Sequence, residues 1–529
     1  MPQHIALKDP LRESRTHSAR TVTAVLVVLA LMGVVLARYY SLQITENEIY
    51  STQSERNRVQ LQPLPPKRGL IFDRNGVLLA DNRPSFILSI VSERVPDLEA
   101  TLAELQTLVP VSEADLENFR KKHPRRRPYE AVPLRFRLNE EERALLAVNR
   151  HRLPGVVVDA QLLRHYPHGE LFSHALGYVG RINERETFEL DESDYRGTFH
   201  IGKVGVEKYY EDLLHGDVGY QNVESNAHGR VLRVLERHAP VPGSDLTLHL
   251  DIRLQRAAVE ALGDRRGAVV AMDPATGGVL ALVSTPGFDT NLFVNGISSR
   301  DYSALRDSLD VPLFNRAIQG QYPPGSTVKP MMGMAGLESG LVTPETSVPD
   351  PGWYRLPGDS RRYRDWILRI RGTGHAPRVA LKMAIAESCD VYFYDLARRL
   401  TIDRVHDYMA PFGFGSRTGV DTTNERPGVL PSTRWKRDAM NQAWYPGETL
   451  SAGIGQGYVL ATPMQLAVAT SVVAARGERR TPRLVMAIDG QPVTAPALEP
   501  MVASPANWDA VFDGMREVVH GKRGTAKKL

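Results

Sequence analysis

The chain has almost no cysteine. Its 529 residues include one, Cys389. That excludes an internal disulfide and leaves a thiol that an oxidising compartment tolerates only when it is buried or ligated. An excess of either charge is also missing: 65 Lys and Arg face 61 Asp and Glu, a formal net charge of +4. This balance gives no footprint for nucleic acid. The basic run KKHPRRR, Lys121 to Arg127, is short and split by Pro124; it reads as a solvated loop, not a polyanion site. Only one long hydrophobic run is present and no internal repeat appears, so neither several membrane spans nor a repeat architecture is expected.

The single apolar run is Thr21 to Ala37, 17 uncharged residues. As a helix it covers about 25 Å, enough for a bilayer core with snorkelling flanks. Arg20 and Arg38 bound it, and Tyr39 and Tyr40 suit an interfacial aromatic belt. Lys8, Arg12, Arg15 and Arg20 outnumber Asp9 and Glu13 before it, which predicts a cytoplasmic N-terminus with the rest outside. Val35-x-Ala37 would pass as a signal-peptidase site, but the apolar run is long for a cleaved signal, and an uncleaved anchor is the favoured reading.

The expected organisation is a cytoplasmic tail (1–20), a transmembrane signal anchor (21–38), a pedestal (39–242) and a second domain (243–529). Ser41 to Gln60 reads as a juxtamembrane helix or stalk, broken at Pro63, Pro65 and Pro66. Arg68 to Ala80 reads as two strands about an Asn75-Gly76 turn. Leu98–Leu108 and Glu140–Val148 carry helical patterns, Val156–Val158 a strand pattern. After Pro242-Gly243 comes a strand (Leu246–Leu250), an amphipathic helix (Asp251–Leu262) and a hairpin (Gly267–Met272, Gly278–Val283). A helix-rich middle follows, so the fold class is α+β: an antiparallel sheet flanked by helices, behind an elongated mixed pedestal.

The chemistry-bearing residues lie in this second domain. Ser326 and Lys329 form the sole S-x-x-K, after a Pro-Gly turn and before an apolar helical stretch reaching about Ser339. On a helix the two side chains share one face, one turn apart, which suits a serine nucleophile with an amine base. About one such tetrapeptide is expected by chance in a chain this long, so a capping serine beside a solvated lysine stays open. Sixty-two residues beyond Ser326 stands Ser388-Cys389-Asp390. Its hydroxyl suits a proton relay, and a helix-terminal serine is the alternative.

The paired S-x-x-K and S-x-[ND] at this spacing resemble the penicillin-recognising serine transferases. So does Ala452-Gly453-Ile454-Gly455-Gln456-Gly457-Tyr458 with Thr462-Pro463-Met464-Gln465. Upstream, Arg68-Gly69 through Gly76, Tyr166-Pro167 through Gly180, and Gly202-x-x-Gly205-Val206-Glu207-x-x-Tyr210 resemble a class B pedestal of the dimerisation type. The chain is identified as a member of the class B penicillin-binding proteins. Asp350-Pro351-Gly352-Trp353, Tyr363 to Trp366 and Gly374-His375 resemble their elongation type.

The resemblance implies a D-alanyl-D-alanine transpeptidase that cross-links peptidoglycan stem peptides and is acylated by β-lactams. Ser326 would be the nucleophile, Lys329 the base, Ser388 a relay, and Asp390 a carboxylate where many relatives carry Asn. Gly455, Gln456 and Gly457 would lie near the substrate channel. It also implies a structural Zn(II) held by Asp350, Asp365, His375 and Cys389, an O/O/N/S set; a buried cysteine beside surface acids is the alternative. Expected partners are the membrane, a membrane glycan polymerase and elongation-complex proteins, at the cell inner membrane with the catalytic domain periplasmic.

One expected feature is missing. The family carries a third motif, Lys-[Ser/Thr]-Gly, on a strand beside the site. Lys522-Arg523-Gly524-Thr525 matches it only superficially, four residues from Leu529. Asn507 to Val519 reads as a helix ending at Gly521. The expectation is a transpeptidase domain incomplete before its third motif. That leaves a second function open, an inactive scaffold whose pedestal stimulates a glycan polymerase.

Overall fold

The computed structural model describes residues 10–45, 59–125, 128, 131–191, 194–195, 197–225, 231–294, 296–494 and 499–527. Lys8 and Asp9, most of the expected stalk (46–58), and Arg126 and Arg127 of the basic run lie outside the described residues.

With no charge between Thr21 and Ala37, the first segment is free to form one long helix, Pro10–Tyr40, followed by a π-helical turn at Ser41–Thr45. His17–Thr45 is long and apolar enough to cross a membrane, and none of it is buried against the remainder. Of the expected stalk only its two ends are described, and the C-terminal end is strand. Val59–Leu64, which includes Pro63, is an edge strand beside Gly219–Ser225, itself paired with Val231–His238. A proline is tolerated at such an edge because its missing N–H breaks no essential ladder bond.

The pedestal centres on the long strand Leu78–Val91, antiparallel to Ile71–Phe72, Ala131–Leu138 and Val156–His165. The turn before it is fixed by Asp73, whose Oδ1 accepts the N–H groups of Asn75 and Val77, both at 2.8 Å. Helices Leu98–Leu108 and Glu140–Val148 cover this sheet, and local capping sets their starts. Asp97 accepts the N–H of Ala100, and Asn139 with Glu142 forms a reciprocal capping box. The basic run is not a loop at its start: helix Glu113–Lys122 runs into it and a 3-10 turn, His123–Arg125, follows.

Strand Leu246–Leu248, expected to open the second domain, lies in the pedestal's sheet. It pairs parallel with Ile71–Phe72 and antiparallel with Val485–Ile488. The first segment of the pedestal and a late segment of the chain thus share one sheet, and its core (Ile71, Leu79, Leu246, Leu248, Val485) continues into Val279 and Leu282 of the next layer.

That layer is the hairpin Gly267–Met272 with Val279–Thr285, antiparallel as expected, backed by helix Ile252–Leu262 with Asp251 as its cap. Buried Gln255 ties the helix down by exchanging two hydrogen bonds with the Leu282 backbone, and donates a third to Leu171 of the pedestal. Beyond the hairpin, helix Asp390–Leu400 is buried along most of its length among Lys329–Glu338, Ile402–Met409 and Pro446–Gly453. Met332, Met334, Phe393 and Leu396 are at most 1 % exposed there; each contributes roughly 1.5–3 kcal/mol by burial. Helix Pro505–His520 closes the layer with Trp508 and Val511 inward.

Candidate active site

Ser326 does not lie on the α-helix that the spacing predicted. Gly325–Val328 forms a 3-10 turn and the α-helix begins at Lys329, running to Glu338. The turn lifts Ser326 into solvent, while Lys329 points down and is 1 % exposed. The turn is held from behind. The N–H of Gly325 donates to the Gly455 carbonyl at 2.8 Å, and Tyr322 and Ala461 exchange two backbone bonds at 2.9 Å. Gly455 has φ +69°, and a Cβ there would sit 2.3 Å from the Gly325 carbonyl oxygen. Only glycine fits both constraints. Gly455 is therefore backing for the turn that carries Ser326.

Three acceptors converge on the Lys329 ammonium: the Ser388 carbonyl at 2.8 Å, Ser388 Oγ at 3.0 Å and Asp390 Oδ1 at 2.6 Å. Its three donors are thereby matched, and the Phe393 ring lies 5.6 Å away. Ser388 adopts φ +55°, a left-handed conformation that costs a residue with a side chain about 1–2 kcal/mol. Such strain persists where surrounding contacts enforce it. Asp390 opens its helix; its N–H and that of Val391 donate to Asp365 Oδ2 at 2.7 and 3.2 Å.

Asp350, Asp365, His375 and Cys389 come together although 39 residues separate the first from the last. All four are buried, and one ligand atom from each lies within 4.8 Å of the others. His375 Nδ1 is 3.0 Å from Asp350 Oδ2, and Nε2 is 3.1 Å from the Glu387 carbonyl. Cys389 Sγ is 3.6 Å from Asp350 Oδ2. A Cβ on Gly374 would sit 2.0 Å from the Asp350 carbonyl oxygen, so that loop closes only with glycine. Burial pushes the Asp365 carboxyl up, and Asp390 adds to this. Burial likewise pushes the Cys389 thiol far up, with Asp350 and Asp365 reinforcing it. Burial alone would raise Asp350 too, but hydrogen bonds from His375 and Gly352 hold it below the usual range.

The Lys522–Thr525 segment is a turn after helix Pro505–His520, not a strand. Arg523 pairs with Glu387 at 2.8 Å and donates to the His375 carbonyl at 2.5 Å, bracing the cluster from outside. Two participants carry no motif of their own in the sequence, Glu387 and Trp366. The indole of Trp366 donates to the Ser388 carbonyl at 3.0 Å, a contact that no local spacing announces.

Comparison with known proteins agrees with this architecture. Residues 267–528 match the penicillin binding protein transpeptidase domain, and residues 63–248 the penicillin-binding protein dimerisation domain. The chain belongs to the class B penicillin-binding proteins, in their PBP2-type branch. It is 47 % identical to the peptidoglycan D,D-transpeptidase MrdA of Acinetobacter baumannii, over 93 % of this chain and 72 % of that protein. It is 42 % identical to the Escherichia coli K12 protein of the same name, over 99 % and 83 %. Among solved structures, Pseudomonas aeruginosa PBP2 in complex with WCK 5153 aligns with TM-score 0.69 at 44 % identity, covering 89 % of this chain and 82 % of that one. Helicobacter pylori PBP2 in complex with MreC aligns with TM-score 0.76 at 32 % identity, covering 89 % and 86 %. As a member of this branch the chain is of the peptidoglycan D,D-transpeptidase type.

Proposed function

We propose that this chain cross-links peptidoglycan stem peptides through an acyl-enzyme on Ser326 during cell elongation. The observation that carries the reading is the buried Lys329, held between Ser388 and Asp390 one turn below an exposed serine. A serine hydroxyl is a poor nucleophile until its proton is removed. Lys329 must first release a proton to take one, and Asp390 Oδ1 is the carboxylate oxygen in contact with it. Ser326 Oγ then bonds to the carbonyl carbon of the penultimate D-Ala. The bond to the terminal D-Ala breaks, and that amine leaves with a proton passed from Lys329 through Ser388 Oγ. An amine of a neighbouring stem attacks the ester, and the same pair returns the proton to Ser326. β-Lactams enter by the first half alone.

The helix Pro10–Tyr40 serves as a single-pass anchor in the inner membrane, its N-terminus cytoplasmic and the catalytic domain periplasmic. The pedestal offers its surface to a membrane glycan polymerase and to elongation-complex proteins. Support comes from the relatives, one solved with MreC and another described as part of a peptidoglycan synthase complex. Asp350, Asp365, His375 and Cys389 fit one Zn(II): two carboxylates, an imidazole and a thiol, all buried, form a complete O/O/N/S donor set. Bound there, the ion neutralises the carboxylates and ionises the thiol, and holds the loop that carries Ser388; the acyl transfer takes no step through it.

Incubation with a fluorescent penicillin, followed by mass spectrometry, tests the reading. One adduct per chain is expected on the peptide containing Ser326. No adduct, or one elsewhere, overturns it.

A further inference from the structure

Ser388 is held by its carbonyl as well as its hydroxyl. Two donors reach that one oxygen, Lys329 Nζ at 2.8 Å and Trp366 Nε1 at 3.0 Å. A carbonyl has two acceptor lone pairs, so this pair of donors fixes the plane of the Ser388–Cys389 peptide bond. Ser388 itself has φ +55°, and its Oγ lies 3.0 Å from Lys329 Nζ on the same face as its carbonyl contact to that nitrogen.

Trp366 is poorly explained as packing. The residue is 38 % exposed, and among the described residues its one ring contact is an edge-on approach to His375 with centroids 5.9 Å apart. A tryptophan kept for burial would be covered; this one spends its indole N–H on Ser388. The residue before it, Asp365, is 2 % exposed and caps the Asp390 helix, so the indole is presented from a fixed base. Lys329 alone is an insufficient clamp, because the same nitrogen serves Asp390 and must exchange a proton with Ser326.

We propose that Trp366 is a positioning residue for acylation: its indole N–H locks the Ser388 carbonyl and thereby aims the Ser388 hydroxyl at Lys329. The inference rests on the transpeptidase reading above. Trp366→Phe keeps the ring and removes the donor. In the full chain it is expected to slow acylation by a fluorescent penicillin about tenfold, the worth of one hydrogen bond of roughly 1.4 kcal/mol, with little change in the half-saturating concentration. A structural role would act equally in any background, whereas a role exerted through Ser388 disappears once that hydroxyl is gone. Adding Trp366→Phe to Ser388→Ala is therefore expected to cost nothing further. Wild-type rates in the single variant, or deficits that multiply in the double, overturn the proposal. A crystal structure of Trp366→Phe gives a reading independent of activity. Ser388 Oγ is expected to leave hydrogen-bond reach of Lys329, and an unchanged contact overturns the proposal. If the wild-type chain takes no label at Ser326, the transpeptidase reading fails, and the crystal structure still decides what Trp366 does.

Discussion

The pedestal buries Arg164 and Glu207 as deeply as the catalytic domain buries Lys329: their side chains are 1 %, 0 % and 2 % exposed. In the pedestal, Glu207 accepts Arg164 at 2.6 Å, Arg68 at 2.8 Å and the Tyr166 hydroxyl at 3.1 Å. Glu211 takes the other side of Arg68 and the N–H of Gly202. These contacts sew together segments 68–69, 164–166 and 202–211, the stretches that resemble the family's pedestal motifs. Burial pushes the Glu207 carboxyl up, yet Arg164 and Arg68 outweigh it and hold the group below its usual range. At the catalytic site the buried charge sits under an exposed hydroxyl, beside a residue in a left-handed turn. Depth of burial is common to both clusters. What separates chemistry from scaffolding is an exposed group waiting at one end and local strain held in place.

The sharpest way to break this comparison is to remove the exposed hydroxyl. Ser326→Ala is expected to lower acylation by at least about 10⁴-fold and leave unfolding unchanged, because the side chain is in solvent. Residual labelling in gel fluorescence would mean that another nucleophile acts. The pedestal should respond in the opposite sense. Glu207→Ala strands the buried Arg164 guanidinium and leaves Arg68 with Glu211 alone, an effect of about 3–5 kcal/mol readable by denaturant unfolding. Molecules that remain folded should acylate at the normal rate. A loss of acylation without a loss of stability would make the network part of the reaction.

The sequence revealed whatever is written locally. Leu98–Leu108 and Glu140–Val148 have the predicted limits because Asp97 and the Asn139–Glu142 box mark their starts. Ser326 and Lys329 could be named from one tetrapeptide. Asp350, Asp365, His375 and Cys389 could be named together only through resemblance, since their spacing follows no helix or hairpin period. Strand Leu246–Leu248 was placed in the wrong layer because its partners, Ile71–Phe72 and Val485–Ile488, are roughly 175 and 240 residues away. A strand pattern fixes which face is buried but not which neighbour covers it. The 3-10 geometry under Ser326 was invisible for a related reason. It depends on the Gly455 carbonyl, a contact across some 130 residues.

A smaller effect separates the clusters by pH. His174 lies at the junction of the layers, buried, its ring edge-on to Phe288 at 5.4 Å. Burial depresses it from 6.5 to about 4, outweighing hydrogen bonds to the Pro286 and Pro312 backbone, and Arg316 opposes its charging as well. Between those values the unfolded chain binds a proton that the folded chain refuses, so stability falls as pH drops from 6.5 towards 4. The loss is on the order of 2–3 kcal/mol. Glu207 acts in the same direction at lower pH, since its folded value lies below the usual 4.5. His174→Phe is expected to flatten the upper part of the profile, measured by denaturant unfolding from pH 7 to 4, while the Glu207-dependent fall persists. An unchanged slope would place the titration elsewhere.

The smallest effect bears most directly on strain. Ser388→Gly and Ser388→Ala both delete the hydroxyl proposed as the relay, so both should slow acylation alike. They differ only in the backbone. Glycine occupies φ +55° without the Cβ penalty, and alanine keeps it. Part of the gain is offset because glycine adds freedom to the unfolded chain. Ser388→Gly should therefore be more stable than Ser388→Ala by up to about 1 kcal/mol, a difference that paired denaturant curves resolve. That outcome would mean the domain tolerates a strained serine for the sake of where its hydroxyl points. Equal stabilities would mean that Lys329 and the indole of Trp366, both bonded to the Ser388 carbonyl, already offset the left-handed turn. The strain would then vanish as a mark of function, and the exposed hydroxyl of Ser326 alone would set this cluster apart from the one in the pedestal.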